Sequence, residues 1–418
     1  MLKKKEKICD TAGWPCCTVH LLAMRVSTAA ALAALCAAAA FPAALATVPF
    51  SSALKLFGYA EKNGRIPPST ELLIFNHTCG STALPCAITQ MHFPSIYPGG
   101  GCPWDWESGV VRVYVDGAPA PALNLTLLQL ASVGAAGAQG NSHKDISPFA
   151  AGHLFGKNAQ TGGVWSTVRI PFAASVSVTL TQAASCAADS TYWAIVRGIE
   201  GLALQLGEVE LPPAARLVQS TIVNTTFAPD EYIPLASAPP GTDGMLLYTF
   251  LDATSKDPNY LEGCFHLTSS LSSTPNSTIF LSSGTEDYFL SARCAAERAE
   301  PLARAAPRPF SFPHFCAPPF SRALFARPPV SYFDEGTFAD SQAGYVFAGP
   351  GGAKSMYKLH DSRDLLPFHD GMQFVWRNNE DGRSCPNHFA AAAADRAPLR
   401  TGPLALTSVV FSYQWPSQ

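Results

Sequence analysis

Two glutamates, Glu262 and Glu286, are the residues whose type and spacing most directly suggest chemistry. They lie 24 positions apart, each beside a glycine, in a chain of 418 residues of which only 14% are charged. Two carboxyl groups held on either side of a sugar are the usual equipment for breaking a glycosidic bond. Spacing alone does not separate this role from that of two surface glutamates next to turns, where a glycine neighbour is common.

Motifs of several other enzyme classes are absent from the sequence. There is no Gly-x-Ser-x-Gly elbow, no Walker loop and no dinucleotide fingerprint. The ten histidines form neither His-x-His nor His-Glu-x-x-His, so the sequence predicts no metal site and no cofactor. We expect His360 to be a satisfied polar residue near a strand end rather than a catalytic base. Trp104 and Trp106 could stack on a sugar ring, and ordinary packing explains them as well.

Strand-forming patterns dominate the rest of the chain, and such strands must position the glutamates. Residues 175–181 alternate between apolar and hydroxyl side chains, and residues 109–117 repeat the pattern up to an Asp-Gly turn, which is typical of half-buried strands. Further strands are predicted at 72–75, 192–196, 245–250, 374–376 and 408–415. No amphipathic helix longer than three turns is predicted beyond the N-terminal leader. Many short strands with Gly- and Pro-rich turns predict sandwiches or jelly rolls.

The N-terminus is typical of a targeting segment. Four lysines within the first seven residues precede an alanine-rich run from about 26 to 45 that ends at Ala44-Leu-Ala46, which suits signal-peptidase cleavage. We therefore expect residues 1–46 to be a signal peptide, with Met24 as an equally good start. The mature chain would then be secreted, without stable membrane insertion. The alternative is an uncleaved signal anchor, because the run is long enough to span a membrane.

The charge of the mature chain argues against nucleic acid or an anionic membrane as the main partner. The leader carries five basic and two acidic residues, so its removal leaves 23 basic and 29 acidic residues, a net charge of −6. Both of those partners require a positive face.

Cysteines and sequons agree with an oxidising, secretory compartment. Eight cysteines remain after cleavage and contain no Cys-x-x-Cys pair, which favours disulfides over a zinc ribbon. Asn-x-Ser/Thr sequons, the acceptors of N-linked glycans, occur at Asn76, Asn124, Asn224 and Asn276.

The length of the mature chain favours two domains, which we place at 47–225 and 226–418. Two segments, near 293–329 and 390–405, lack alternation and are predicted to be insertions. A disordered surface loop and a retained intron explain residues 293–329 equally well.

Several strings of the chain resemble glycoside hydrolase family 172, formerly domain of unknown function 2961. The most specific is Gly284-Thr-Glu-Asp-Tyr-Phe289. Supporting strings lie at 261–263, 331–334, 356–360, 374–378 and 413–416, and looser ones at 113–117 and 170–175. The resemblance extends from about Pro49 to the C-terminus.

This resemblance implies an all-β fold of two tandem jelly-roll β-sandwich domains, assembling as homotrimers or multiples of trimers. It also implies a retaining enzyme acting on furanosides, as α-D-fructofuranosidases, difructose-anhydride synthases and D-arabinofuranosidases do. Carried over by motif, Glu262 would be the nucleophile and Glu286 the acid/base. The candidate substrate-binding residues are Asp287, Tyr288, Trp104, Trp106, His360 and Trp376.

Two stretches depart from the family pattern. Cys264 and Phe265 stand where members commonly carry an acidic pair, and residues 127–132 replace an expected aromatic stretch. Both are expected to be substrate-contact regions, so the sugar stays open. The alternative function is a non-catalytic carbohydrate-binding or structural jelly roll, because this fold serves lectins and capsids as readily as enzymes.

Overall fold

The described residues all belong to the predicted mature chain. The computed structural model describes residues 54–80, 84–94, 96–97, 108–133, 152–158, 163–184, 186–229, 231–257, 260–261, 263–271, 278–282, 284–289, 338–360, 364–378 and 402–417. The predicted signal peptide, the 293–329 insertion and most of the 390–405 insertion lie outside these ranges. The last two residues of the latter, 404 and 405, belong to the final strand.

Thirteen strands and one short helix form the first half of the described chain. They are β1 (Lys55–Ile66), β2 (Leu72–Thr78), β3 (Cys86–Phe93), β4 (Ile96–Tyr97), β5 (Val110–Val115), β6 (Leu123–Thr126), α1 (Leu127–Leu130), β7 (Phe155–Lys157), β8 (Val164–Ser166), β9 (Ile170–Phe172), β10 (Ser175–Thr181), β11 (Ser190–Glu200), β12 (Gln205–Leu206) and β13 (Val209–Glu210). One sheet has seven strands in the order β1-β11-β3-β8-β7, with β4 paired to β11 and β9 to β3. A second sheet has the order β2-β10-β5-β6, and β12 pairs with β13.

Eleven strands and a second short helix form the other half. They are β14 (Arg216–Phe227), β15 (Tyr232–Ala238), β16 (Thr242–Thr254), β17 (Phe265–Thr268), β18 (Thr278–Leu281), α2 (Thr285–Tyr288), β19 (Phe338–Ala339), β20 (Ala343–Ala348), β21 (Ala353–Leu359), β22 (Leu366–Phe368), β23 (Met372–Arg377) and β24 (Leu404–Pro416). The seven-stranded sheet has the order β14-β24-β16-β21-β20-β19, with β22 paired to β16, and the four-stranded sheet has the order β15-β23-β17-β18.

Both halves share the nested strand pairing of a jelly roll. In the first half the opening strand β1 pairs with the late strand β11, and β2 pairs with β10. In the second half β14 pairs with β24 and β15 with β23 in the same way. Such first-with-last wrapping of an antiparallel sandwich is the double Greek key of a jelly roll. The predicted fold, all-β with two tandem jelly rolls, is confirmed.

The strands that sequence alternation predicted are those with one buried face. In β10 the side chains of Val176, Val178 and Leu180 are buried, and this strand has the predicted bounds. Strands β1 and β14 were not predicted, because most of their side chains are exposed or half-buried and show no apolar alternation. Since β14 already belongs to the second sandwich, the domain boundary lies between Glu210 and Arg216, earlier than the predicted 225/226.

Buried contacts join the two sandwiches into one body. Ser132 Oγ lies 2.6 Å from the hydroxyl of Tyr248, and the hydroxyl of Tyr413 donates to the carbonyl of Arg169 at 2.9 Å. A continuous apolar core contains side chains from both halves. The C-terminal strand therefore packs against the first domain as well as completing the second.

Disulfides are present in the described chain. Cys79 and Cys86 form one between β2 and β3, and Cys186 and Cys264 are each disulfide-bonded as well. Among the described residues, no helix is both long enough and apolar enough to cross a membrane.

Candidate functional site

The two predicted catalytic glutamates belong to neighbouring segments of the second jelly roll. Glu262 lies outside the described residues, but Leu261 and Gly263 on either side of it are described. Glu286 lies in α2, and its side chain, like that of Asp287, is not described. Trp104 and Trp106 also lie outside the described residues, so their predicted stacking on a sugar stays a prediction.

A single threonine hydroxyl joins the two segments. Thr285 Oγ1 donates to the carbonyl oxygen of Gly263 at 2.9 Å and accepts from the indole Nε1 of Trp376 at 2.9 Å. Thr285 and Trp376 are both 0% exposed. We call Thr285, Gly263 and Trp376 the threonine clasp. Because Gly263 directly follows Glu262 and Thr285 directly precedes Glu286, the clasp fixes the main chain next to each glutamate.

The glycine of the clasp is required by close packing. A Cβ atom added to Gly263 would lie 1.8 Å from the main-chain oxygen of Arg377, far inside van der Waals contact. On the following residue, the carbonyl of Cys264 accepts from the Arg377 main-chain N–H at 3.0 Å. Gly263 and Cys264 therefore lie directly against the end of β23, and only glycine fits at position 263.

The hairpin leading to α2 is fixed to the same strand that follows Glu262. Ser282 Oγ accepts from the N–H of Phe265 and donates to the carbonyl of Gly284, each at 3.0 Å, and the Ser282 N–H donates to the Phe265 carbonyl at 3.0 Å. Ser282 and Phe265 are buried. These bonds give α2 a defined starting point relative to β17.

Aromatic rings fill the space beneath the clasp. The Phe265 ring stacks on Tyr288 with 3.9 Å between centroids and lies 5.9 Å from the Trp376 ring. Tyr260, just before Glu262, meets Trp376 edge-on at 6.3 Å. Aromatic pairs of this kind add to the stabilisation that comes from burial. The described residues next to the clasp are therefore closely packed and mainly aromatic.

A buried hydrogen-bond chain starts at the end of α2. The hydroxyl of Tyr288 lies 2.7 Å from Thr249 Oγ1 and 2.8 Å from His360 Nε2. His360 Nδ1 lies 3.3 Å from Asp364 Oδ2, and Lys358 Nζ lies 2.9 Å from the same oxygen. We call these five side chains the tyrosine relay.

Burial and charge set the protonation states of two members of the tyrosine relay. Burial lowers the pKa of His360, so its ring is neutral at neutral pH. Burial alone would raise the pKa of Asp364, but its contacts with His360 and Lys358 lower that pKa to about 2, so the carboxyl group is ionised. His360 Nδ1 faces this carboxylate at 3.3 Å without forming an aligned hydrogen bond. In the bond between Tyr288 and His360 Nε2 the donor depends on the tautomer of the ring, and in the bond between Tyr288 and Thr249 either hydroxyl can donate.

Three predicted substrate-binding residues thus have internal contacts. Tyr288 is 2% exposed, and His360 and Trp376 are 0% exposed, and each has a polar atom directed at another side chain of the clasp or relay. Their contacts favour a role in positioning α2 and the Glu262 segment. Direct contact of these side chains with a sugar stays a prediction.

The two departures from the family pattern also fall on buried residues. Cys264 is 1% and Phe265 0% exposed. Leu127, Leu128 and Leu130 of α1 are buried in the core that spans both sandwiches. The apolar side chains of this leucine-rich helix fill the interior, and contact of residues 127–132 with a substrate stays a prediction.

One group of potential metal ligands comes together among the described residues, formed by Cys79, Cys86 and Glu200. The two cysteines are bonded to each other, and Glu200 Oε1 lies 2.7 Å from His77 Nε2. Their donor atoms are thus already engaged, and this group is a structural one.

Sequence reasoning missed the residues that connect the predicted ones. Thr285 lies inside the most specific string, directly before Glu286, and Lys358 lies in the 356–360 string. Thr249 and Ser282 carry no motif and depend on contacts across the fold, and Asp364 carries no motif although it lies only four positions after His360. The glycine after Glu262 was read as a turn residue, whereas close approach to Arg377 explains it.

Comparisons with known proteins identify no family for this chain. No family model and no curated protein matches the chain, so the resemblance to family 172 stays a prediction. Similar solved structures include the STIV MCP, at 9% identity and a TM-score of 0.37, covering 86% of this chain and 96% of that chain. Another is the major capsid protein P2 from bacteriophage PM2, at 8% identity and a TM-score of 0.29, covering 87% and 98%. At such values the likeness carries no argument about function.

Proposed function

We propose that this chain is a secreted retaining glycoside hydrolase or transglycosylase acting on furanosidic sugars, with Glu262 as nucleophile and Glu286 as acid/base. The observation that carries the proposal is the 2.9 Å hydrogen bond between Thr285 Oγ1 and the Gly263 carbonyl. Bond lengths along the connecting atoms limit the separation of the two glutamate Cα atoms to below about 15 Å. Glutamate side chains starting that close can converge on one sugar.

Two carboxyl groups in one site suit the two roles. A retaining pair lies about 5–5.5 Å apart, one ionised and one protonated. The negative charge of the nucleophile raises the pKa of its neighbour, which keeps the acid protonated until it reaches the leaving oxygen.

The reaction follows in two displacements. The Glu262 carboxylate attacks the anomeric carbon while the glycosidic C–O bond breaks, and the Glu286 proton moves to the departing oxygen. Glu286, now ionised, takes a proton from water or from a sugar hydroxyl, whose oxygen attacks the same carbon and releases Glu262. Water gives hydrolysis, and a sugar hydroxyl gives transglycosylation.

Substitution of each glutamate by glutamine tests the assignment. Glu262→Gln and Glu286→Gln should each abolish hydrolysis of an aryl furanoside identified in a screen of α- and β-furanosides and pyranosides. With an activated leaving group, Glu286→Ala should regain turnover with azide, because leaving-group protonation is then dispensable and azide replaces the activated water. Wild-type rates in either glutamine variant would refute the proposal.

A non-catalytic structural or sugar-binding jelly roll is the second candidate. The observation that favours it is the burial of Tyr288, His360 and Trp376, which are closed to solvent and contact other side chains of the protein. A chain of this class would show no turnover of any substrate in the screen and unchanged properties after Glu262→Gln. Assembly as trimers, if present, would suit either candidate, and mass measurement in solution tests it.

A further inference from the structure

The four-stranded sheet of the first jelly roll has a solvent face with two sequon asparagines. Asn76 on β2 and Asn124 on β6 are both exposed, and these strands form the two edges of the sheet β2-β10-β5-β6. With neighbouring strands about 4.8 Å apart, the two positions are separated by about 14 Å across the sheet.

Strand registers place both asparagines on the same face. A bulge in β2 between Leu73 and Phe75 turns Phe75 towards the interior and Asn76 outwards, opposite Ser177. Asn124 is opposite Arg112, whose neighbours Val111 and Val113 are buried. Without the bulge, the side chain of Asn76 would point to the interior, as does that of Ile74, which is 5% exposed.

The surface between the two asparagines is polar. A depression of about 410 Å³ at Asn76 is lined by the hydroxyl-bearing residues Thr78, Tyr114, Ser175 and Ser177 and by Asn76, His77, Gly117 and Val176. Hydroxyls and one aromatic ring suit contact with a sugar better than the apolar packing of a stable protein interface does.

We propose that Asn76 and Asn124 carry N-linked glycans that together cover this face and keep it in solvent in any assembly of the chain. Linked glycans are bulky and strongly hydrated, so a face that carries two of them does not pack against another copy. The proposal depends on entry into the secretory pathway and is independent of the chemistry of Glu262 and Glu286.

The test uses the full chain, with its own leader, expressed in a eukaryotic secretory host. Peptide mapping after enzymatic deglycosylation should find both asparagines converted to aspartate. Asn76→Gln and Asn124→Gln should each lose one glycan, and the double variant both, with the same number of subunits per particle by light scattering. Replacing Asn124 is preferable to replacing Thr126, because Thr126 Oγ1 caps α1 by accepting from Gln129 N–H at 3.1 Å.

An added sequon tests whether the centre of the face is open. Ser177→Asn completes an Asn-x-Thr sequon with Thr179, and Ser177→Gln is the matched variant without one. The glycan should attach at position 177 and leave the subunit number equal to that of Ser177→Gln. The proposal would be overturned if Asn76 and Asn124 of the secreted protein were unmodified. It would also be overturned if position 177 of the secreted Ser177→Asn protein were unmodified, or if a glycan at position 177 changed the number of subunits. A chain that stays in the cytosol would overturn it too.

Discussion

Replacing Thr285 by valine removes the hydroxyl of the threonine clasp at nearly constant volume. The substitution leaves the buried Trp376 N–H without its acceptor and removes one donor from the Gly263 carbonyl. A buried polar group left without a partner costs about 1–3 kcal/mol. Since two groups are affected, we expect the free energy of unfolding to fall by about 2–6 kcal/mol.

The effect on catalysis should exceed the effect on stability. The clasp fixes the main chain next to both glutamates, and a misplacement of about 1 Å can cost on the order of 100-fold in rate. We therefore expect kcat of Thr285→Val for an aryl furanoside to fall on the order of 100-fold, with a smaller change in KM. Thr285→Ser, which keeps the hydroxyl, should retain most of kcat.

Thermal unfolding and steady-state kinetics on the same preparations check both parts. Because about 1 kcal/mol shifts Tm by about 2–4 °C in a domain of this size, Tm of Thr285→Val should drop by about 4–24 °C. Val178→Ala in the first sandwich, at a fully buried site, should lower Tm through about 2 kcal/mol of lost burial and keep kcat unchanged. A Thr285→Val protein with wild-type kcat and Tm would refute the reasoning, and a Val178→Ala protein with an equal loss of kcat would show that general destabilisation causes it.

Three further predictions concern the clasp, the relay and the first domain. Gly263→Ala should abolish folding or activity, because its Cβ would overlap the Arg377 carbonyl; soluble, fully active protein would contradict this. Burial lowers the pKa of His360, so the folded state binds fewer protons than the unfolded state, and the stability present above about pH 6.5 should fall as the pH drops towards the folded pKa. His360→Gln should therefore give a flatter plot of Tm against pH between pH 7 and 5. An unchanged slope in this variant would argue against the relay. Asp116→Ala should lower the free energy of unfolding by about 2 kcal/mol and leave kcat unchanged. The Asp116 carboxylate accepts hydrogen bonds from the main-chain N–H groups of Ala173, Ala174 and Ser175 and pairs with Arg216. An unchanged Tm would show that these bonds contribute nothing to stability.

Local sequence patterns identified the strands that have one face in the core and the other face towards solvent. Strand β10 has one face in the core, so the alternation of apolar and polar residues predicted its bounds. The predicted Asp-Gly turn after β5 is present, with positive φ at both Asp116 and Gly117. Strand β1 was missed because it is a sheet edge with mostly exposed or half-buried side chains. The bulge in β2 shifts the side-chain phase by one residue, an effect that periodicity cannot locate.

The sequence motifs of the candidate site could be recognised, but the hydrogen bonds that join its segments could not be predicted from the sequence. The strings around Glu262 and Glu286 drew attention to both segments, but the bond between Thr285 and Gly263 joins residues that only the fold brings together. Asp364 differs, because its partners His360 and Lys358 lie only four and six positions before it in the sequence, but no motif marks it. Close packing at Gly263 depends on the main chain of Arg377, more than one hundred positions away, which no local pattern encodes.

The distance between the Glu262 and Glu286 carboxyl groups in an experimental structure tests the central claim most directly. A retaining pair held by the threonine clasp predicts about 5–5.5 Å between them, with both groups facing a common solvent-accessible cleft. A separation of about 6.5–9.5 Å would replace the retaining mechanism by an inverting one. A still larger separation, or carboxyl groups directed to different surfaces, would contradict the account and favour the structural jelly roll.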